Sequence, residues 1–188
     1  MRLFVGIPVA AATVRALQEL TSGLHAGEDG LRWLPPESWH ITVQFLGETS
    51  DERFACLRDS LQAIKARRLT IDFAGVTIFE RVGVVAVAVA PTGDLVALHR
   101  CVTQATARCG FVAEPRPYAP HLTLARAQRG VRLRSHHSLQ RAMRSRIALP
   151  GYTAHEILLY QSHPGTGGAR YEVRARFPLE EPAGLREH

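Results

Sequence analysis

Two stretches of the chain share one pattern, His40-Ile41-Thr42-Val43-Gln44-Phe45-Leu46-Gly47 and His121-Leu122-Thr123-Leu124-Ala125-Arg126. In both, apolar or β-branched residues alternate with polar ones, which is typical of a strand that has one buried face. Side chains two positions apart in a strand point to the same face. Each histidine therefore shares a face with the threonine after it. Two such strands that face each other would place two imidazoles and two hydroxyls around one small anionic group.

The elements outside these stretches also repeat. A helix is predicted over Ala11 to Leu24, ahead of the first stretch, and another over Leu95 to Cys109, ahead of the second. A helix followed by a histidine strand thus occurs twice, which indicates an internal duplication. We expect an α+β fold with one bilobal domain over residues 1–179, in which each lobe has an antiparallel sheet and outer helices. The groove between the lobes would hold both motifs, and residues 180–188 would form a frayed tail.

The remaining predicted elements are short. Thr49, Ser50 or Asp51 can cap a second helix that runs to about Arg68. Alternation predicts further strands, and a basic segment carries a short helix. These elements are the strands Leu69 to Phe79, Val82 to Ala90, Glu156 to Gln161 and Ala169 to Phe177, and a helix capped by Ser135 within the basic segment Arg126 to Arg146.

Composition limits the classes of protein that fit. The chain has 188 residues, of which 46% are hydrophobic, and no apolar run is long enough to span a membrane. The first residues lead straight into a helical pattern, so we expect no signal peptide. The three cysteines, Cys56, Cys101 and Cys109, lack metal-ligand spacing. We therefore expect reduced thiols in a cytoplasmic protein.

The charge is positive and is carried almost wholly by arginine. The formal net charge is +6, and Lys65 is the one lysine among 23 lysines and arginines. Guanidinium groups bind phosphate in a bidentate fork, so one interpretation is a surface for phosphates. The other is an arginine-biased composition, and charge alone leaves both interpretations open.

Nine histidines are present, and a lone histidine on a strand is more often structural than catalytic. His40 and His121 differ from the other seven because their whole context repeats, including a proline-containing extended run before each. A metal site built on this pair is disfavoured, since no cysteine or carboxylate stands at metal-ligand spacing. The pattern instead indicates a pair of histidines that opens a phosphodiester without a cofactor.

These motifs and their flanks resemble those of the 2H phosphoesterases, which are named for two His-x-Thr/Ser motifs. Within that group the chain is similar to the bacterial and archaeal RNA 2′,3′-cyclic phosphodiesterases, long called 2′-5′ RNA ligases. The resemblance extends over nearly the whole chain, and neither motif departs from the family pattern. It rests on Arg2 to Ile7, Arg32 to Glu37, Phe45 to Gly47, Gly110-Phe111, Arg116 to Arg126 and Tyr171 to Val173.

The resemblance implies a bilobal fold that presents one motif from each lobe. It implies metal-independent hydrolysis of a 2′,3′-cyclic phosphate at an RNA end to a 2′-phosphate, and a weak, reversible, ATP-independent 2′-5′ ligation. The expected partners are RNA ends such as tRNA halves, or small nucleotides. We expect a monomer that does not associate with membranes.

The residue types agree with that chemistry. Imidazole has an unperturbed pKa of about 6.5, so one protonated and one neutral ring can coexist near neutrality. By resemblance we predict His40 as the acid for the 3′ leaving oxygen and His121 as the base for water. Thr42 and Thr123 would donate hydrogen bonds to the non-bridging oxygens. Arg126 would bind the phosphate, although strand parity puts it opposite His121 unless a strand end or bulge turns it.

Aromatic residues near the motifs are few. Trp33 and Tyr118 could stack on an RNA base or pack in the protein, while parity predicts that Phe45 belongs to the core. The arginines from Arg126 to Arg146 could follow an RNA backbone or form a solvated surface.

Two other functions remain open. One is a sibling phosphodiesterase for small cyclic nucleotides or 2′-5′ oligonucleotides, which would share the mechanism. The other is a module that binds RNA ends without turnover, for which arginine and aromatic residues would matter but both histidines would not.

Overall fold

The computed structural model describes residues 1–25, 30–145, 148–165 and 168–181 of the chain. Within these ranges it contains ten strands and four α-helices. The strands are β1 (Arg2–Pro8), β2 (Leu31–Trp33), β3 (His40–Glu48), β4 (Leu69–Ile71), β5 (Phe73–Phe79), β6 (Val84–Val89), β7 (His121–Ala127), β8 (Tyr152–Ala154), β9 (Glu156–His163) and β10 (Arg170–Pro178). The helices are α1 (Ala11–His25), α2 (Asp51–Gln62), α3 (Gly93–Ala107) and α4 (His137–Arg144).

The main sheet has eight antiparallel strands in the order β10-β9-β1-β3-β7-β6-β5, with β2 also paired to β7. Strands β3 and β7 join only at the pair Ile41 and Leu122. This narrow join divides the sheet into one lobe of β10, β9, β1 and β3 and another of β2, β7, β6 and β5. The predicted bilobal α+β fold is confirmed, and the two motif strands are the strands that meet at the join.

The helices cover the face of the sheet that carries the apolar residues of the motifs. The larger core cluster packs α2 and α3 against Ile41 and Val43 of β3 and Leu122 and Leu124 of β7. A smaller cluster packs the end of α1 and the apolar face of α4 against β5, β6 and β7. Because strand side chains alternate, burial of this face leaves the motif histidines and threonines on the opposite face.

Both motif strands contain a bulge at the same place. In β3, Thr42 pairs with Gly6 and Gln44 pairs with Val5, so Val43 has no partner of its own. In β7, the residue without a partner is Leu124. At each bulge two consecutive residues face the core, and the alternation of faces is inverted beyond it.

The inversion decides where the next side chain points. Phe45 is 68% exposed, so the prediction that it belongs to the core is wrong. The simple alternation of faces along a strand does not hold here, because the bulge turns Phe45 to the histidine face. The equivalent bulge in β7 turns Arg126 to the face of His121, as phosphate binding by Arg126 requires.

A disulfide joins Cys56 of α2 to Cys109, two residues beyond the end of α3. The expectation of reduced thiols at these positions is therefore wrong for this structure, while Cys101 is a free thiol. The two cysteines are 53 positions apart in sequence, and packing of α2 against α3 brings them together. Side-by-side packing of two helices is a tertiary property, so cysteine spacing alone did not indicate the pair.

The end of the described chain is attached to the segment between α2 and β4. Glu180 forms an isolated bridge with Arg67, within the tail that was predicted to fray. Residues 182–188 of that tail lie outside the described residues, and a single domain over residues 1–179 stays a prediction. Among the described helices, none is long and apolar enough to cross a membrane.

Candidate active site

The two motif histidines begin neighbouring strands, His40 in β3 and His121 in β7. The residue after each histidine is fully buried, and these two residues form the single pair that joins the lobes. Because the strands are antiparallel, the residues on either side of this pair also lie next to each other: His40 is beside Thr123, and Thr42 is beside His121. The structure thus brings together the four predicted motif side chains on one face of the sheet.

Backbone carbonyls fix the proton position on both rings. The Nδ1 atom of His40 lies 2.8 Å from the Ser38 carbonyl oxygen, and Nδ1 of His121 lies 2.8 Å from that of Ala119. Since a carbonyl oxygen only accepts, Nδ1 carries the hydrogen in each case. The neutral rings therefore have their lone pair on Nε2, and in His40 this atom is 3.1 Å from the Thr42 hydroxyl. Nε2 is the atom through which each ring can exchange a proton.

His40 lies among three aromatic rings. The ring centroids of Phe4 and Tyr171 are 4.6 and 5.0 Å from that of His40, and Tyr160 is at 5.6 Å. Tyr171 presents its edge to the imidazole, whereas Phe4 is tilted over it. These rings replace water around His40, which is half-buried.

This apolar surrounding makes a cation at His40 unfavourable. Burial lowers the pKa of His40 to about 4, the hydrogen bond to Ser38 opposes the shift, and positive charge at His121 and Arg126 adds to it. His40 is therefore neutral at pH 7 in the unliganded protein. The other motif histidine, His121, packs against Phe79, and their ring centroids are 4.8 Å apart. Two motifs of one sequence pattern thus sit in different environments.

The chemical groups at this site are imidazoles and hydroxyls. Within the described ranges, no three histidine, cysteine, aspartate or glutamate side chains lie together as ligands for a metal ion. Two imidazoles can give and take protons, and two threonine hydroxyls can donate hydrogen bonds to developing negative charge. A tetrahedral phosphoryl group has the size and charge to bind between these four side chains.

Comparison with known proteins agrees with this geometry. The family model described as LigT like Phosphoesterase matches residues 7–86, which include the first motif. A protein of Archaeoglobus fulgidus named RNA 2′,3′-cyclic phosphodiesterase is 31% identical over 132 residues, which cover 69% of this chain and 74% of that protein. A protein of the same name from Escherichia coli is 31% identical over 166 residues, 84% of this chain and 85% of the relative.

The chain belongs to the LigT-like phosphoesterase family. It is therefore an enzyme that acts on phosphate esters. Among solved structures, the E. coli LigT complexed with 3′-AMP superposes with a TM-score of 0.77 at 27% identity, covering 95% of this chain and 97% of that one. This chain and that phosphoesterase thus share one fold along most of their lengths.

Arg126 has a second guanidinium beside it that the sequence did not single out. Arg32 of β2 pairs with Arg126 of β7 in the antiparallel register, and residues paired in this way point to the same face. Both side chains are exposed. Arg32 was missed as a site residue because β2 is only three residues long and its pairing depends on the fold. The LigT-like enzyme thus presents two cations on the histidine face.

The basic segment from Arg126 to Arg146, which could follow an RNA backbone or form a solvated surface, is divided between two faces. Helix α4 buries Leu139 and Ala142 against β5, β6 and β7 on the core side. Its Arg141 and Arg144 therefore lie behind the sheet, away from the histidines. Arg146 lies outside the described residues. An RNA held at the two motifs would meet Arg126 but not helix α4.

Trp33 and Tyr118, for which stacking on a base and packing in the protein were both open, have partners within the protein. Trp33 pairs with Ala125, which is fully buried, so its side chain lies on the core face and packs against both core clusters. The Tyr118 ring stacks on His99 at 4.0 Å, and its hydroxyl donates to the Thr42 carbonyl oxygen. Stacking on RNA by either residue stays a prediction that these positions do not favour.

Proposed function

We propose that this enzyme is an RNA 2′,3′-cyclic phosphodiesterase in which His40 and His121 act as an acid–base pair. One observation carries the proposal. Two histidines from the two lobes lie on one face, and both have Nδ1 bonded to a backbone carbonyl so that Nε2 is available for proton transfer. The names of the two relatives at 31% identity support the RNA cyclic phosphate as the substrate.

The proposed reaction needs two proton transfers. His121 Nε2 takes a proton from a water molecule while the water oxygen attacks phosphorus. The bond from phosphorus to O3′ breaks, and His40 Nε2 gives its proton to the departing O3′. The products are a 2′-phosphate and a free 3′-hydroxyl. If the 5′-hydroxyl of a second RNA attacks phosphorus in place of water, the same two proton transfers would form a 2′-5′ bond and free the 3′-hydroxyl, which is the proposed ligase activity.

His40 must gain its proton when substrate binds. In the unliganded protein its pKa is about 4, so the acid form is scarce at pH 7. A phosphodiester anion beside the ring favours the imidazolium, because an opposite charge within a few ångströms raises a histidine pKa. Proton uptake and substrate binding would thus be coupled, and an acid would form only where a phosphate is present to receive it.

Other residues on the same face would hold the RNA. Thr42 and Thr123 would donate to the non-bridging oxygens, and Arg126 with Arg32 would bind phosphate. Phe45 is an exposed ring 6.0 Å from Phe4 and supplies a surface on which a base can stack. The E. coli LigT complex with 3′-AMP supports a nucleotide as the ligand class. A cytoplasmic monomer remains part of this proposal.

Product analysis tests the proposal directly. A short RNA that ends in a 2′,3′-cyclic phosphate, incubated with the enzyme and EDTA, should be converted to the 2′-phosphate and not to the 3′-phosphate. Adding an RNA with a 5′-hydroxyl should yield a small amount of 2′-5′ linked product. Loss of turnover in EDTA that a divalent ion restores would contradict the metal-independent mechanism. Turnover of cyclic mononucleotides alone would favour the sibling phosphodiesterase.

Gly6 offers a test of the position of His40. A Cβ at Gly6 would lie 3.2 Å from the Ile41 carbonyl oxygen and from the Tyr160 ring, and 3.4 Å from Cδ2 of His40. Gly6→Ala should therefore press on the Ile41 backbone and the Tyr160 ring, both of which adjoin His40, and so shift the imidazole. We expect kcat to fall roughly tenfold, since small misplacements of a catalytic group are costly. Gly23→Ala on α1 is the control, because nothing lies within 4 Å of its Cβ. Equal rates for the two variants would show that the position of His40 tolerates this crowding.

A further inference from the structure

The catalytic strands are held together by few direct bonds. Strands β3 and β7 share the one pair at the join. Tyr118 adds a second connection, because its hydroxyl donates to the Thr42 carbonyl oxygen at 3.0 Å, across 76 positions of sequence. Tyr118 stands three residues ahead of His121 on the segment that leads into β7. This bond therefore ties the approach to the second motif to the backbone of the first.

Tyr118 is itself firmly held. Its ring stacks almost parallel on His99 of α3, with centroids 4.0 Å apart and planes at 8°. The residue is half-buried and packs against the larger core cluster. Burial raises the pKa of its phenol, so the hydroxyl keeps its proton and remains a donor at neutral pH. One end of the side chain is fixed by α3 and the other by β3.

The groups at both ends of this connection contact a catalytic ring. The Thr42 hydroxyl is 3.1 Å from His40 Nε2. Ala119, which follows Tyr118, provides the carbonyl oxygen that bonds His121 Nδ1. A shift of Tyr118 relative to β3 would therefore move His121 relative to His40. Neither ring has an alternative anchor across the join among the bonds described above.

We propose that Tyr118 is a positioning residue that sets the spacing of His40 and His121 through its hydrogen bond to the Thr42 carbonyl. The inference rests on the proposed function, because it assumes that both histidines act on one phosphate. It differs from the stacking role predicted for Tyr118, since one face of the ring is covered by His99. A positioning role depends on the hydroxyl, whereas stacking depends on the ring.

The variant Tyr118→Phe separates these roles, and Tyr152→Phe is a matched control. Tyr152 is also half-buried, and its hydroxyl donates to the Pro8 carbonyl oxygen at 2.8 Å, but it does not bridge β3 and β7. Both variants lose one partly buried hydrogen bond, so we expect similar decreases in Tm. Hydrolysis of the cyclic phosphate should show kcat about tenfold lower for Tyr118→Phe, with KM within twofold, and unchanged constants for Tyr152→Phe.

A second measurement does not require turnover. In long-range proton–nitrogen NMR spectra of the imidazole rings, Tyr118→Phe should shift the His121 signals while Tyr152→Phe leaves them in place. Equal kcat in the two variants, a rise in KM without a fall in kcat, or unmoved His121 signals would each overturn the inference. An inactive wild-type protein would instead count against the proposed function, and the NMR comparison would still decide the role of Tyr118.

Discussion

Replacing His40 with alanine should lower kcat/KM for cyclic phosphate hydrolysis at least a hundredfold, and replacing His121 should do the same. Each proton transfer by a placed imidazole contributes roughly 10²–10⁴-fold to the rate. The double variant should lose little more than either single variant, because groups that act as a unit are not additive. Steady-state kinetics on an RNA dinucleotide with a 2′,3′-cyclic phosphate would measure all three losses.

The fold should survive these changes to different degrees. His121 is half-buried and touches Phe79, whereas His40 fills a space between Phe4, Tyr160 and Tyr171. His40→Ala should therefore lower Tm more than His121→Ala does, and circular dichroism should show both variants folded. The decreases in kcat/KM should not be proportional to the decreases in Tm.

His163→Ala provides the matched control. This histidine lies on β9 and pairs with Glu172 at 2.9 Å. It repeats no motif context, so its removal should leave kcat/KM within twofold of the wild-type value. Full activity of either His40→Ala or His121→Ala would rule out the two-histidine mechanism.

The sequence was sufficient to predict the face on which the motif residues lie. Alternation over His40 to Thr42 and over His121 to Thr123 depends only on the strand period, and the apolar residues between them are buried as this period requires. The expectation that both motifs line one site followed from the duplication. These features are local or repeated, so no knowledge of neighbouring strands was needed.

Positions beyond the bulges could not be predicted in the same way. The bulges at Val43 and Leu124 are defined by pairing with β1 and β6, which no local pattern reveals. Phe45 was placed in the core for this reason, and the parity objection to Arg126 had the same origin. One physical cause, an extra residue in each strand, accounts for both.

Long-range pairing explains the other differences. The Cys56–Cys109 bond depends on contact between α2 and α3, and Arg32 reaches the histidine face only because β2 pairs with β7. Helix α2 also ends at Gln62, short of the predicted Arg68, although apolar spacing continues to Ile64. Helical periodicity shows which residues could face a core, and tertiary packing decides how far the helix continues.

The roles of the two histidines should be separated by a substrate with a better leaving group. In a cyclic phosphate with sulfur in place of the 3′ oxygen, the departing thiolate needs no proton. If His40 is the acid, His40→Ala should recover to within about tenfold of wild type on this substrate, since the proton transfer that it lost is no longer required. His121→Ala should remain at least a hundredfold below wild type, because water must still be activated.

The environment of His40 makes this result informative. Its pKa of about 4 keeps the ring neutral in the unliganded protein, which is the state that a base needs. His40 can act as the acid only if the negative charge of the bound phosphate raises its pKa, so that the ring takes up a proton. Binding of a 2′-nucleotide at pH 7, followed by calorimetry in buffers of different ionisation enthalpy, should then show uptake of a proton in wild type and none in His40→Ala. Recovery of His121→Ala on the sulfur substrate, without proton uptake at His40, would reverse the assignment and make His40 the base. Together, the two experiments determine whether His40, in its aromatic surroundings, donates a proton to the leaving group or accepts one from water.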